Sequence, residues 1–210
     1  AMFITLEGTE GCGKTTQVAP LAEFLRQQGW DVLTTREPGG TPIGEQIRAV
    51  LHNLENTAMH AHTEILLFQA ARAQHVEQLI RPQLARHGLV ICDRFADSTL
   101  AYQGYGRQQP LEPLRALVDY ATGGLKPDLT MLLDLDVEVG LLRRAKGGEW
   151  NRLDALEVAF YQRVRQGYYE LVRSEPDRWV VIDASLPPVE VQQAMRAAVM
   201  MQLKRMDSLE

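Results

Sequence analysis

Cysteine is scarce in this 210-residue chain: there are two, Cys12 and Cys92. Both sit inside motif-like stretches rather than in a framework, which argues against disulfide scaffolding and fits a reducing cytoplasm. A basic surplus is also missing. Lys and Arg number 22 against 27 Asp and Glu, for a net charge of −5. That balance argues against a broad nucleic-acid-binding face, though it leaves room for a local basic pocket. No apolar run approaches the length of a membrane span, and no secretory leader is expected ahead of the first apolar run. Internal repeats, low-complexity tracts and linker-like stretches are absent. What remains is 45% hydrophobic residues in one uninterrupted chain, the composition of a single α/β domain with a sizeable core.

The organising stretch is Phe3 to Thr16, FITLEGTEGCGKTT. Phe3–Leu6 is a short, β-branched apolar run, as a buried strand should be. Gly8-Thr9-Glu10-Gly11-Cys12-Gly13-Lys14-Thr15-Thr16 follows and contains G-x-x-x-x-G-K-[ST]. A helical pattern then runs from about Lys14 to Gln28. Strand, glycine loop and helix together make a phosphate-binding loop. The glycines let backbone N–H groups face inward, and the helix N-terminus adds partial positive charge. In such a loop Lys14 reaches the β- and γ-phosphates of ATP, and the Thr15 hydroxyl ligates Mg²⁺.

Further strand-like runs recur at Val32–Thr35, Leu89–Cys92, Leu129–Leu135 and Trp179–Ile182, with helical patterns between them, including a long one from Thr63 to Arg86. Strands alternating with helices predict a parallel sheet flanked by helices. Arg143 to Arg152, RRAKGGEWNR, is polar, basic and broken by glycine. It reads as a mobile loop.

Ligands of open α/β sheets bind at the carboxyl ends of the strands, so the residues there are the candidates. Glu10 is an unhelpful charge inside a phosphate cradle; it either turns toward a second substrate or is merely solvated. Arg36-Glu37-Pro38-Gly39-Gly40 is a rigid turn that forms a ligand wall or carries a surface ion pair. Arg48 follows one helix later. Phe68 and Arg72, four apart, share a helix face; they stack and edge-bind a base, or are a core Phe beside a surface Arg. His75 has no ligand-spaced partner. Asp93 ends an apolar run as a Mg²⁺-proximal carboxylate does, with Asp134 as its rival. Asp93 is preferred because Arg94, a bidentate phosphate binder, follows directly. Ser98, Tyr102 and Gln103 return at helical spacing.

These stretches together resemble bacterial thymidylate kinases: GTEGCGKTT at 8–16, REPGG at 36–40, FQAAR at 68–72, DRFADSTLAYQ at 93–103, PDLTMLLDLDVEVGL at 127–141 and NRLD at 151–154. The resemblance covers nearly the whole chain. It implies a P-loop NTPase fold with a five-stranded parallel sheet and a mobile lid at about 143–152, a cytoplasmic homodimer, and transfer of the ATP γ-phosphoryl group to dTMP with Mg²⁺, a step in dTTP synthesis. It also implies that Glu10 lies near the acceptor sugar, that Phe68 stacks on thymine and that Arg72 binds the base edge. Arg94 is implied near the acceptor and transferring phosphates, with Ser98, Tyr102 and Gln103 on the thymine and sugar wall. Arg36, Glu37 and Arg48 fall on the acceptor or phosphate side.

The phosphate loop carries no basic residue between Gly8 and Gly13, so the resemblance is to the type whose catalytic arginines sit in the lid. Arg143 and Arg152 keep the expected places, while Arg144 and Lys146 are offset by one. With Lys14 and Arg94, Arg143 and Arg152 are the expected catalytic cations. A phosphate acceptor needs no general base, so catalysis should be positioning plus charge stabilisation. Trp150 in the expected lid should report closure, and Cys12 at a helix N-terminus is either alkylation-prone or a small packed side chain. Tyr105 stands where the family commonly has glycine. The rival readings are another nucleoside monophosphate kinase, a nucleotide switch and a nucleic-acid motor; the switch lacks its N-K-x-D and D-x-x-G signatures.

Overall fold

A computed structural model describes residues 1–147, 151–154 and 156–208. Five parallel strands form one sheet: β1 (Met2–Glu7), β2 (Val32–Arg36), β3 (Leu89–Asp93), β4 (Leu129–Asp134) and β5 (Trp179–Asp183), in the order β2-β3-β1-β4-β5. Because β1 lies in the middle, its neighbours β3 and β4 leave in opposite directions, and a crevice opens at their carboxyl ends.

All six residues of β1 are buried, so helices must cover both faces of the sheet. Strand alternation sends Met2, Ile4 and Leu6 to one face. There they pack with Leu21 and Leu25 of α1 (Lys14–Gln27) and Met195 and Val199 of α9 (Pro188–Asp207). Each fully buried side chain of this kind contributes roughly 1.5–3 kcal/mol. Phe3 faces the other way, onto Val76, Ile80 and Phe95. Thr5 and Glu7 share that second face, which is how a carboxylate comes to lie at the buried end of the central strand.

The long helical pattern is α3 (Ala61–His75), a π-helical turn at Val76–Ile80 and the short α4 (Arg81–Ala85), continuous with one another. Before it, α2 (Pro42–His52) begins with Pro42 in its first turn, and the Thr41 hydroxyl accepts from Gly44 N–H at 3.0 Å. After β3 come α5 (Ala96–Thr99), a second π-helical turn at Leu100–Gly106 and α6 (Leu111–Thr122). Then α7 (Val137–Lys146) and α8 (Val158–Ser174) bracket the segment expected to be the lid.

That segment corrects one expectation. Arg143 to Lys146 are not loop but the last turn of α7, whose start is fixed by Asp136 Oδ1 accepting from Glu138 and Val139 N–H at 3.0 and 3.1 Å. The cap starts a helix that carries on through residues polar enough to be taken for loop. Trp150 lies outside the described residues. Tyr105, unexplained by sequence, also has a role. Its ring lies over Gly167 of α8, where a Cβ would stand 2.6 Å from it.

Candidate active site

The crevice is a cavity of about 550 Å³ lined by the phosphate loop, the turn after β2 and the segment from Asp93 to Gln103. That volume suits a nucleotide-sized ligand. The loop itself depends on glycine. Gly11 and Gly13 have φ of +73° and +90°, conformations that a side chain strains. Gly11 also packs backbone to backbone against Gly140 of α7. A Cβ on either would overlap a carbonyl oxygen, that of Gly140 or of Glu10. Lys14 is folded onto the loop, its Nζ 3.2 Å from Gly8 O and 3.3 Å from Cys12 Sγ. Cys12 is 3% exposed and part of the core, the packed alternative of its two readings.

Thr15 Oγ1 donates to Asp93 Oδ2 at 2.9 Å, so a hydroxyl and a carboxylate meet beside the loop. Asp134 is engaged elsewhere, accepting from Arg165 Nε at 2.9 Å and Tyr169 OH at 2.7 Å. Two hard oxygen donors fit Mg²⁺, which takes few protein ligands and completes its shell with phosphates and water. No group of three or more His, Cys, Asp or Glu able to hold a metal occurs among the described residues.

Arg94 stands at the centre. Its backbone is left-handed, φ +69°, a strained state for a non-glycine residue. Nη2 donates to Glu10 Oε1 and to Tyr102 OH, both at 3.0 Å, and Nη1 reaches Ser98 Oγ at 3.3 Å. The guanidinium also lies 4.9 Å from the centroid of the Tyr102 ring. Burial opposes the charge on Arg94, but Tyr102 and Glu10 outweigh it and hold its pKa well above the ordinary value. Burial likewise opposes ionisation of Glu10, yet Arg94 and Lys14 keep that carboxyl below its usual range. Glu10 is therefore paired across the cavity rather than solvated.

Beneath Arg94 lies Glu7, which no motif singled out for a role. It accepts from Phe95 N–H at 2.9 Å, Ser98 Oγ at 2.5 Å and Tyr168 OH at 2.7 Å. Burial, with the charge of Asp97, raises its pKa. Tyr168 belongs to α8, and no local sequence signal connects it with Glu7.

The far wall holds Phe68 and Arg72. Arg72 is not the surface residue of the alternative reading: it is 2% exposed. Nε donates to Glu37 Oε2 at 2.8 Å, Nη1 to Gln69 Oε1 and Thr99 Oγ1, both at 2.9 Å, and Nη2 to Phe95 O at 3.1 Å. With five N–H groups, the guanidinium keeps one Nη2 proton unused among the described residues. Thr99 Oγ1 also accepts from Gln69 Nε2 at 3.1 Å. Both its lone pairs are thus taken and its proton is directed elsewhere. Glu37 is buried too, its second oxygen 2.9 Å from His75 Nδ1, while His75 Nε2 is 2.7 Å from Thr35 Oγ1. Burial opposes the charge on Glu37; Arg72 and His75 lower its pKa regardless. Glu37 lines the cavity, as a ligand wall would, and also holds Arg72 in place through one of its oxygens. Arg36 pairs with Glu45 at 3.1 Å, and Arg48 Nη1 donates to Pro38 O at 2.8 Å.

The lid cations separate. Arg143 and Arg144 line the cavity and Arg152 does not. Arg152 donates to Glu64 Oε2 at 2.6 Å and to Leu51 O at 2.7 Å. In this structure a buried acid holds it apart from the cavity. Arg144 makes a two-pronged pair with the buried Asp154, at 3.0 and 2.8 Å. Phe68, Ser98, Tyr102 and Gln103 all line the cavity, together with Thr99 and His52.

A phosphate loop at the end of a central parallel strand, an acid on the next strand and a second, aromatic subsite across a bridging arginine define a P-loop NTPase fold with a phosphotransferase site. The thymidylate kinase family model matches residues 6–195. The thymidylate kinase of Geotalea uraniireducens is 50% identical over 207 residues, spanning 96% of this chain and 97% of that one. That of Thermomicrobium roseum is 54% identical over 204 residues, spanning 97% and 96%. The crystal structure of thymidylate kinase from Ehrlichia chaffeensis superposes with a TM-score of 0.79 at 34% identity, over 94% of this chain and 98% of that one. The chain belongs to the thymidylate kinase family. Its activity is the phosphorylation of dTMP to dTDP, with ATP as the family's phosphate donor.

Proposed function

We propose that the γ-phosphoryl group passes in line from ATP, bound with Mg²⁺ on Gly8–Thr16, to the phosphate of dTMP held between Arg94 and the Phe68–Arg72 wall. The observation that carries this reading is the placing of Arg94, one nitrogen of which bonds both Glu10 on the phosphate loop and Tyr102 on the opposite wall. A fixed cation at the junction of two anionic substrates offsets their repulsion and stabilises the charge on the transferring group. Lys14 swings from Gly8 O to the β- and γ-phosphates. Thr15 and Asp93 would hold Mg²⁺, whose positive charge would offset the negative charge of the phosphates. Glu10 meets the acceptor sugar, Phe68 stacks on the base, and Arg72, Ser98, Tyr102 and Gln103 complete its wall. Arg36 and Arg48 steady the turn beside the acceptor phosphate.

The chain works as one nucleoside monophosphate kinase domain. The end of α7 and the segment reaching Arg152 form its lid, and Arg143 supplies the lid's catalytic charge. The enzyme acts in the cytoplasm, a reading supported by its two unpaired cysteines; no helix among the described residues is long and apolar enough to cross a membrane. It is a homodimer, with Ile43, Val50 and Leu54, all exposed along and just beyond α2, as the apolar face. Sedimentation as a monomer at micromolar concentration would end that part of the reading.

A coupled ADP-release assay across dTMP, dUMP, UMP, CMP and AMP tests the site. Strong turnover of dTMP, weak of dUMP and none of UMP or CMP is expected. Turnover of UMP or CMP would keep the phosphate chemistry and overturn the base and sugar assignments.

A further inference from the structure

Glu64 of α3 is a buried carboxylate near the cavity that the reaction leaves unused. It is 2% exposed and bears four donated hydrogen bonds. Arg107 approaches it at 3.3 and 3.2 Å, Arg152 at 2.6 Å, and Gln103 Nε2 donates to Oε1 at 2.9 Å. Gln103 is itself 2% exposed and lines the cavity, and its Oε1 accepts no hydrogen bond among the described residues.

Two arginines against one carboxylate keep Glu64 ionised. Burial opposes its charge, but Arg107 first and then Gln103 and Arg152 hold its pKa below the carboxylate range. An ionised carboxylate accepts hydrogen bonds and cannot donate. The Gln103 carboxamide therefore has one permitted orientation, NH₂ toward Glu64 and carbonyl oxygen toward the cavity. Rotation by half a turn would set oxygen against oxygen in a buried contact.

We propose that Glu64 is the positioning residue for base selectivity: by fixing the Gln103 amide, it makes the cavity accept pyrimidines that carry a proton on N3 and reject 4-aminopyrimidines. This rests on Gln103 facing the base, as proposed for the dTMP wall. Arg72 and Thr99 line the same cavity, so the wall then offers an acceptor at Gln103 Oε1 and donors at Arg72 Nη2 and the Thr99 hydroxyl. A thymine or uracil ring, with carbonyls on either side of N3–H, complements that set. Cytosine has a bare N3 lone pair and an amino group next to it, and meets acceptor with acceptor and donor with donor. A buried polar group left unpaired in this way discriminates far more strongly than shape alone.

The test replaces Glu64 by Gln and measures kcat/KM for dTMP, dUMP and dCMP. A Gln at this place can offer either an oxygen or an NH₂, so the Gln103 amide is released. The expected result is a fall of roughly tenfold or more in the ratio of dTMP to dCMP, with dTMP and dUMP falling together because both carry N3–H. General destabilisation lowers all three rates and leaves the ratio intact, and that outcome overturns the proposal. Gln103→Met separates the two levels. An unchanged KM for dTMP in that variant removes Gln103 from the base and ends the underlying reading. A raised KM there, with an unaltered ratio in Glu64→Gln, ends only the role of Glu64. A measurement on the unmutated enzyme stands apart from any folding failure. The Gln103 side-chain NH₂ protons, assigned in ¹⁵N spectra by their loss in Gln103→Met, should exchange slowly both with and without dTMP. Protection that appears only when dTMP binds would mean that NH₂ faces the base, and would overturn the proposal.

Discussion

Arg94→Ala separates charge from architecture. The wild-type guanidinium holds Glu10, Tyr102, Ser98 and Tyr168. Removing it leaves Glu10, whose side chain is 20% exposed, with the Tyr102 hydroxyl and water. The stability loss from that exchange is about 1–3 kcal/mol. The catalytic loss is larger, on the order of 3–5 kcal/mol, because a cation aimed at the transferring phosphoryl acts mainly in the transition state. At 1.36 kcal/mol per decade that is roughly a 10²- to 10⁴-fold fall in kcat. A second variant isolates the backbone. Position 94 has φ +69°, so Arg94→Gly should be about 1 kcal/mol more stable than Arg94→Ala while losing kcat equally. Coupled ADP release at saturating ATP and dTMP gives kcat, and denaturant unfolding gives stability. If kcat is kept and only the KM for dTMP rises, Arg94 binds the acceptor in the ground state and the electrostatic argument is wrong.

The remaining predictions are separate from this one. Arg143→Ala should lower kcat by a factor comparable to Arg94→Ala. Arg152→Met should instead lose about 2–3 kcal/mol of stability, Arg107 remaining to face Glu64, with kcat within about tenfold of wild type; the opposite pattern in turnover would return Arg152 to the catalytic set. Gly140→Ala should raise the KM for ATP several-fold, since its Cβ meets the Glu10 carbonyl and no side-chain rotation relieves a backbone clash; unchanged ATP kinetics would show that α7 and the loop move independently. His52 is half-buried, and burial, then Arg48, lowers its pKa from 6.5 to about 4. The unfolded chain thus takes up a proton on this residue that the native state does not, so stability is full above pH 6.5 and falls as pH drops toward 4. After allowance for solvent screening the loss is on the order of 1–2 kcal/mol. Urea unfolding of His52→Gln should show a shallower acid slope than wild type, and an identical slope would remove His52 as its source.

Much of this molecule could be read along the chain because its signals are local. The five strands begin and end within two residues of their apolar runs, and the three inner ones, β3, β1 and β4, are buried along almost their whole length, which is why their runs are largely apolar. The phosphate loop is contiguous, and Asp93 and Arg94 are neighbours. The lid helix was hidden because its cap, Asp136, precedes a stretch whose charges and glycines resemble loop. Glu7, Glu64, Asp154, Tyr168 and His75 were harder still. Their meaning lies in partners: Glu7 and Tyr168 are 161 residues apart, Glu64 and Arg152 88 apart. A buried carboxylate has the same sequence appearance as a solvated one until its cation is known.

That pairing decides between the lid arginines, which look equivalent as letters. Arg152 faces Glu64 and Arg144 faces Asp154, both acids at most 2% exposed at the side chain. Drawing a cation away from such a partner strands a buried charge, at a cost of about 3–5 kcal/mol. Binding to a phosphate would have to offset that before any catalytic gain. The Arg143 guanidinium is bonded to a carbonyl oxygen, that of Ala184, at 3.4 Å. Exchanging such a long, neutral contact for a phosphate costs about 1 kcal/mol or less. If the segment works as the proposed lid, Arg143 is the cation its closure would recruit most easily. The acids at 64 and 154 would meanwhile keep Arg152 and Arg144 where they are, leaving α7 to bring Arg143 forward.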